Sequence, residues 1–435
     1  MSAARPIPTW LRQRDLSRLA PWRAPVALAV LLLGIGLAWR VPMMLWDHLD
    51  LVPIYEAWRA GDLRLGQLLE VHHGSHFHAT AYAVLLLTTS LSSGDPWLDC
   101  LLSWGFLLVF AFVVLKQAQQ DMGEGASKQW YALALLALYP GHLANLQWGW
   151  QIAVFVCLAS AALCLRALTR GTLGPRQNGM ALVCAIVASV SFSTGLALFP
   201  VACALIVLRQ PSSRRLLWLL LPWTIAAAGV AHLLSRGGGT GIPDPTMAVL
   251  YVLNFIGGGV ARYATGVAPW IAAAAIAYGV GLGWWMRGQR EAWFWIGWML
   301  FALGAAGLTA LGRASAFGAD HAFVTRYVSF SSTFWLGWFG LIFLAARRDG
   351  LLRHSRWVKR AAVFVFALSA LNGMHLAKKA YVVGVKATGT SDAIRASWPD
   401  VDDALLREIY FERSDDARRR LEALHARRYA PFDTL

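Results

Sequence analysis

Acidic side chains directly follow the first long apolar run of this 435-residue chain. Asp47 and Asp50 come first, and at the helical spacing i, i+3 their carboxylates share one face. A carboxylate at the boundary of a membrane is partly desolvated, which raises its pKa and makes it a good general base. The sequence therefore predicts catalytic roles for both, with Asp47 as the base and Asp50 supporting it. The alternative is an interfacial acid that ends a helix.

Further polar side chains follow in the same loop, where Glu56 precedes a histidine cluster that includes His73 and His76. Imidazoles hydrogen-bond phosphate oxygens, relay protons or ligate metals. We expect these three residues to contact substrate, with interfacial polar packing as the alternative. No HExxH pattern accompanies the histidines, so no metal site is predicted, and a divalent cation remains an open alternative.

Two tryptophans and an amide stand together in the segment NLQWGWQI. Trp148, Trp150 and Gln151 suit a sugar site, because aromatic faces pack on pyranose rings and amides hydrogen-bond hydroxyls. Tryptophans at the end of a span are also the usual anchors at the membrane interface. The sequence leaves both interpretations open.

Arginines bracket a later loop that reads GRASAFGADHAFVTRY and contains Asp320 and His321. A guanidinium matches the geometry of a phosphate, so Arg313 and Arg326 are predicted to hold a lipid-linked phosphate or diphosphate together with Arg262. All five residues are predicted to bind substrate. The alternative is that these arginines form structural ion pairs with nearby aspartates.

The elements that position these residues are membrane-spanning helices. Hydrophobic residues make up 57% of the chain and charged residues 14%, and apolar runs of about 20 residues recur along it. The fold class is therefore an all-α polytopic membrane protein. The net charge of +15 is typical of Lys and Arg at cytoplasmic loop ends, so nucleic acid is not an expected partner. The five cysteines lack metal-site spacing.

The distribution of basic clusters predicts about eleven spans, with the N-terminus inside and the C-terminus outside. The long apolar run 179–208 is then two short helices that meet at 191–195. The short run 79–93 lies along the outer interface or dips into the membrane and returns. The predicted regions are a cytoplasmic basic arm (1–24), a transmembrane domain (25–377) with a first outer loop (46–97) carrying the interfacial helix, and a periplasmic helical tail (378–435). The charged run of the tail is predicted to be a solvated face.

This arrangement resembles the GT-C class of membrane glycosyltransferases. More narrowly, the segments WDHLD, VHHGSHF, WGWQ, SFSTG and GRASAFGADHAFVTRY are similar to motifs of a large group of bacterial integral membrane proteins. The resemblance implies a sugar donor on polyprenyl phosphate and a catalytic carboxylate at the position of Asp47 or Asp50. It matches His73 and His76 to the group's paired histidines. Ser75 and Phe77 replace the group's usual acid and arginine.

The predicted function is transfer of a sugar from a polyprenyl-phosphate-type donor to a cell-envelope glycan or lipid acceptor. It would take place at the outer face of the bacterial inner membrane, with the lipid-phosphate-linked sugar as donor and a divalent metal as an open alternative. One alternative is an envelope polysaccharide polymerase or ligase, and another is a lipid or glycan transporter (flippase). Transporters place functional charges near the bilayer midplane and often contain repeats, whereas this chain gathers its ionisable groups at one face and shows no repeat.

Overall fold

The computed structural model describes residues 20–70, 77–123, 127–209, 212–235, 242–349, 355–411 and 413–433. These residues form helices and turns and contain no strand, which confirms the all-α prediction. The α-helices are α1 (Arg23–Ala38), α2 (Leu51–Ala60), α3 (Leu65–Leu68), α4 (Ala79–Leu91), α5 (Trp97–Met122), α6 (Ser127–Ala137), α7 (Leu143–Leu146), α8 (Ile152–Thr169), α9 (Pro175–Ser191), α10 (Leu198–Leu208), α11 (Ser213–Ser235), α12 (Pro245–Ala261), α13 (Ala268–Met286), α14 (Trp293–Phe317), α15 (Val328–Arg348), α16 (Arg356–Ser397), α17 (Asp403–Ile409) and α18 (Ser414–Ala426).

Within the described residues, 6 helical segments are long and apolar enough to cross a membrane. They are Trp97–Met122, Gly149–Thr169, Arg214–Ser235, Arg290–Phe317, Thr325–Arg348 and Arg356–Ser397. At about 1.5 Å per residue, a helix of 20 residues covers the roughly 30 Å of hydrocarbon. Shorter apolar helices pack beside them, among them α1, α4 and α12. The bundle accommodates the predicted set of about eleven spans.

Both ambiguous apolar runs contain the predicted kind of element. The run 179–208 is divided, because α9 ends at Ser191 and a 3-10 turn, Ser193–Ala197, leads into α10. Gly195 permits this turn, since a Cβ there would lie 2.4 Å from the backbone carbon of Ala188. Helix α4 has only 13 residues, about 20 Å, which is too short for a perpendicular span.

Two helices differ from the sequence prediction. Helix α12 forms within 235–267, which the charge pattern assigned to an outer loop; the Asp244 side chain caps its N-terminus by accepting from Thr246 N and Met247 N. Helix α16 continues through 42 residues, so the boundary expected at 378 falls inside it. It contains no proline, and it ends just before Pro399.

The loops at one end of the bundle gather into what we call the site end. It contains the 3-10 helices Trp46–Asp50, Gly149–Gln151, Ser193–Ala197, Ala319–Phe323 and Thr325–Tyr327. Helix α8 leaves this end and α9 returns to it, packed closely against α8. The ends of α8, α10 and α13 that point away from the site form the opposite end. The 18 residues of α8 separate the two ends by about 27 Å, close to one hydrocarbon thickness.

Candidate functional site

Asp47 lies in the 3-10 helix Trp46–Asp50 and is only 6% exposed. The residue before it, Trp46, has a left-handed backbone conformation (φ 53°), which is uncommon for a bulky side chain and is typical of functional sites. The Trp46 ring is held edge-on against Trp148, with 5.3 Å between ring centroids. The start of this helix is therefore fixed by packing, and the carboxylate of Asp47 with it.

Arg326 is the described cation closest to Asp47. Its Nη1 lies 3.7 Å from Asp47 Oδ2, close enough for charge attraction but too long for a hydrogen bond. One side chain positions its backbone: Asn145 Nδ2 donates to Arg326 O (3.2 Å) and also to Ser329 Oγ (2.8 Å). His142 Nδ1 is also hydrogen-bonded to Ser329 Oγ, at 2.9 Å. The segment before α8 therefore positions the segment that starts α15.

Arg313 and Arg326 line one small cavity, which we call the phosphate cavity. Its other lining residues are Phe192, Ser193, Thr194, Leu308, Thr309, Gly312 and Tyr327, and it holds about 50 Å³. No carboxylate is among these residues. Ser193, Thr194 and Thr309 contribute hydroxyl groups to its lining. Two guanidinium groups and several hydroxyl groups in one cavity suit a small anion.

His321 lies beside this cavity, where the charges of Arg326 and Arg313 act on it. Burial, together with the charges of Arg326 and Arg313, lowers its pKa to about 4, so the imidazole is neutral at pH 7. Its Nδ1 lies 3.1 Å from the hydroxyl of Tyr251, and its ring stacks on Phe317. Asp320 accepts a long hydrogen bond from Asn254, at 3.5 Å.

The predicted sugar-binding aromatics separate into two environments. Trp150 is 2% exposed, and its ring stacks on His78 at 4.6 Å, so it packs inside the site end. Trp148 is only partly buried, and its indole N–H finds no partner among the described residues. The buried Oε1 of Gln151 likewise has no partner there. Trp148 and Gln151 therefore have polar atoms without a described partner, whereas Trp150 packs against His78.

His48 and Asp99 form a buried pair that the sequence analysis did not single out. His48 Nε2 lies 4.0 Å from Asp99 Oδ2, with the two side chains 0% and 2% exposed. Burial lowers the pKa of His48 to about 3, so it is neutral at pH 7. Gly149 packs directly on this pair, since a Cβ there would lie 2.7 Å from Asp99 Cβ. This contact gives a physical reason for glycine in WGWQ.

Two other acids of the first loop, Asp50 and Glu56, contact the C-terminal tail. Asp50 Oδ1 accepts from Arg420 Nη1 at 2.7 Å and from the hydroxyl of Tyr410. Burial, together with the Asp50 hydrogen bond, raises the pKa of Tyr410 to about 12, so its hydroxyl stays protonated. Glu56 accepts two hydrogen bonds from Arg427, at 2.6 and 2.8 Å. We call these contacts the tail clamp.

Neutral contacts extend the tail clamp. The hydroxyl of Tyr55 lies 2.8 Å from those of Tyr429 and Ser90, and Ala430 N donates to Ser93 O at 3.0 Å. The charged run of the tail was predicted to be a solvated face, so these partners were not predicted. The spacing of Arg420 and Arg427, seven residues or two helical turns apart, is the signal that places both on one face.

The tail clamp yields a testable expectation. Arg420→Gln should lower the free energy of unfolding by about 1–3 kcal/mol, because a part-buried carboxylate loses a charge-assisted partner. Arg419→Gln is the matched control, since the adjacent Arg419 is exposed and pairs only locally with Asp416. Chemical denaturation of wild type, Asp50→Asn, Arg420→Gln and the double variant measures the coupling energy between the two side chains. A coupling near zero would show that the tail is not held through Asp50.

Not every predicted site residue joins this arrangement. Arg262 is not among the residues that line the phosphate cavity with Arg313 and Arg326, and its backbone N–H donates to Asn372 of α16, at 2.9 Å. The side chain of Arg262 lies close to His375 of α16, as do those of Lys378 and Lys379. His73 and His76 fall outside the described residues. Within the described part of the chain, no group of three or more His, Cys, Asp or Glu side chains is arranged to hold a metal ion.

Comparisons with known proteins give a likeness of structure. No family model matches the chain, and no curated protein matches its sequence. The crystal structure of ArnT from Cupriavidus metallidurans in the apo state matches it with a TM-score of 0.52 and 12% identity, over 88% of this chain and 80% of that chain. The chain has a GT-C-like fold. The structure of that ArnT bound to undecaprenyl phosphate matches with a TM-score of 0.49 and 14% identity, over the same shares.

The likeness to ArnT indicates the fold of this chain. It covers most of both chains and includes the membrane helices, so it confirms the predicted resemblance at the level of fold. The chain shares the fold of that ArnT, and its described residues include 6 helices long and apolar enough to cross a membrane. The sequences share too few residues for roles to be transferred from one chain to the other. The chemistry must therefore be argued from Asp47, Arg313 and Arg326 themselves.

Proposed function

We propose that this protein is a glycosyltransferase that moves a sugar from a polyprenyl-phosphate donor to a cell-envelope glycan or lipid. One observation carries the proposal. A nearly buried carboxylate, Asp47, lies 3.7 Å from Arg326, which shares the phosphate cavity with Arg313. A base beside a phosphate-sized pair of guanidinium groups suits displacement of a phosphate from a sugar carbon.

The proposed reaction assigns one role to each group. Asp47 accepts the proton of an acceptor hydroxyl as its oxygen bonds to the anomeric carbon of the donor sugar. The bond between that carbon and the phosphate oxygen breaks, and the lipid phosphate leaves with its electron pair. Arg313 and Arg326 stabilise the charge that develops on the leaving phosphate. Trp148 and Gln151 line the sugar, and the neutral His321 hydrogen-bonds beside the arginines.

The test uses the full-length protein reconstituted in vesicles with polyprenyl-phosphate-linked sugars and a bacterial envelope lipid extract. We expect mass spectrometry to detect a product that gains one sugar, together with released polyprenyl phosphate. The Asp47→Asn protein serves as the negative control. If neither product nor released lipid forms with any donor tested, while the protein remains folded, the proposed function is wrong.

The proposal includes an orientation. We propose that the site end faces the periplasm, because the basic loop ends then lie in the cytoplasm. In a variant without native cysteines, Asp400→Cys is expected to react with an impermeant maleimide in intact cells. Arg176→Cys, exposed at the opposite end, is the matched control and should react only after lysis. The reverse pattern would invert the topology and place the site in the cytoplasm.

A further inference from the structure

A large cavity lies at the opposite end of the bundle. It holds about 1000 Å³, and its lining includes Arg209, Arg215, Arg287 and Arg290 together with Trp285 and Trp293. The loop after α8, the ends of α10 and α13 and the start of α11 all contribute to it. We call it the arginine cavity. It lies about 27 Å from the site end, the length of α8, and has no part in the proposed transfer reaction.

Backbone carbonyls hold these guanidinium groups in place. Arg290 Nη2 donates to Gly171 O at 2.9 Å, and Arg209 Nη2 donates to the same oxygen at 2.5 Å. Arg287 Nη1 donates to Trp284 O at 2.7 Å. Each guanidinium carries five N–H donors, so these bonds fix its position and leave most of its donors for another acceptor.

The arginine cavity lacks a described counter-ion. No carboxylate is among its lining residues, and the neighbouring Glu291 accepts from Arg348 outside it, at 3.0 Å. Burial lowers the pKa of Arg209, and the charges of Arg290 and Arg215 lower it further. Four positive charges held together without a negative one create a site where an anion is stabilised.

We propose that the arginine cavity binds a phosphate group, carried by an anionic phospholipid headgroup or by a soluble phosphate ester. Arginine is the side chain best shaped for phosphate, and the cavity has the volume of a small-molecule site. Trp285 and Trp284 are 54% and 69% exposed beside it. Exposed tryptophans at the end of a span are typical of the headgroup level of a membrane. The chain therefore binds phosphate at both ends, by separate sets of arginines.

The test compares two double variants that lose the same charge at the same end of the full-length protein. Arg215→Gln/Arg287→Gln removes two cavity arginines, whereas Arg176→Gln/Arg214→Gln removes two exposed arginines outside it. Native mass spectrometry measures retention of phosphatidylglycerol and phosphatidylcholine. We expect the cavity variant to bind phosphatidylglycerol about tenfold or more weakly than wild type, and the control to stay within about twofold. Arg215→Lys/Arg287→Lys should keep part of the affinity.

Glycerol 3-phosphate and inorganic phosphate distinguish the two sources. Displacement of the lipid by either compound at millimolar concentration assigns the site to soluble phosphates, and resistance to both assigns it to the headgroup. Both results support a phosphate site, provided that the binding depends on the cavity arginines. Equal losses in the two double variants would overturn the proposal, as would a wild type that retains both lipids equally and binds neither soluble phosphate. A lowered melting temperature would identify loss of fold in the Gln variant. The Lys variant is then compared with wild type in its place.

Discussion

The Asp47→Asn variant is expected to lose about a hundredfold or more of its transfer rate while it still folds and binds donor. Asparagine keeps the shape of the side chain and one oxygen near Arg326, so the packing around Trp46 persists. An amide cannot accept the proton that leaves the acceptor hydroxyl. The expected loss therefore falls on turnover, and donor affinity should change little. Single-turnover transfer in vesicles and a separate donor-binding titration measure the two quantities.

Matched variants make the Asp47 prediction specific. Asp62→Asn removes an exposed acid from the same loop and should have no effect. Asp50→Asn weakens the tail clamp, so we expect reduced stability with a smaller loss of turnover than Asp47→Asn. Full activity of Asp47→Asn with none in Asp50→Asn would reassign the base to Asp50. Activity in the double variant would exclude catalysis by this pair of carboxylates.

The Arg326→Ala variant is expected to bind polyprenyl phosphate about ten- to a hundredfold more weakly, which corresponds to ~1.5–3 kcal/mol for a lost charge-assisted hydrogen bond. Lysine should restore only part of the affinity, because it lacks the planar fork of the guanidinium. Titration of the purified protein with polyprenyl phosphate, without any acceptor, measures this effect independently of turnover.

A second arginine separates the phosphate role of Arg326 from its ion pair with Asp47. Arg313→Ala leaves that pair in place and removes the other guanidinium of the phosphate cavity. We expect it to weaken binding by about tenfold. Arg59→Ala, at an exposed arginine of α2, is the charge control. If both cavity variants bind polyprenyl phosphate as tightly as wild type, the two arginines are structural and the cavity does not hold the donor.

Much of the fold and part of the site could be predicted from sequence for a physical reason. Loops on one face of a membrane are confined to a thin layer, so polar residues at the ends of different spans are brought close together. This confinement brings Asp47 and Arg326 together, although they lie far apart in the chain. The division of 179–208 followed in the same way, because charged clusters on both sides limit where the chain can cross.

Other features depend on contacts that local patterns do not reveal. A charged amphipathic helix has the same sequence pattern whether it faces water or another charged surface, so the docking of Arg420 and Arg427 was not predicted. Trp150 at the end of a span has the sequence signature of an interfacial anchor, yet His78 covers its face. Helix α12, of 17 residues, was assigned to an outer loop because the basic clusters on both sides placed 235–267 outside the membrane. Only the packed structure distinguishes these cases.

The tail clamp also constrains how the protein is made. Asp50 and Arg420 are 370 positions apart, and Glu56 and Arg427 are 371 apart. During synthesis the loop that carries Asp47 emerges first, and its partners follow only after every intervening helix has entered the membrane. Contacts between such distant segments close late, because they must offset the largest loss of chain entropy. A half-synthesised chain would therefore carry its carboxylates without their arginines, and catalytic competence would arrive as the last step of biogenesis.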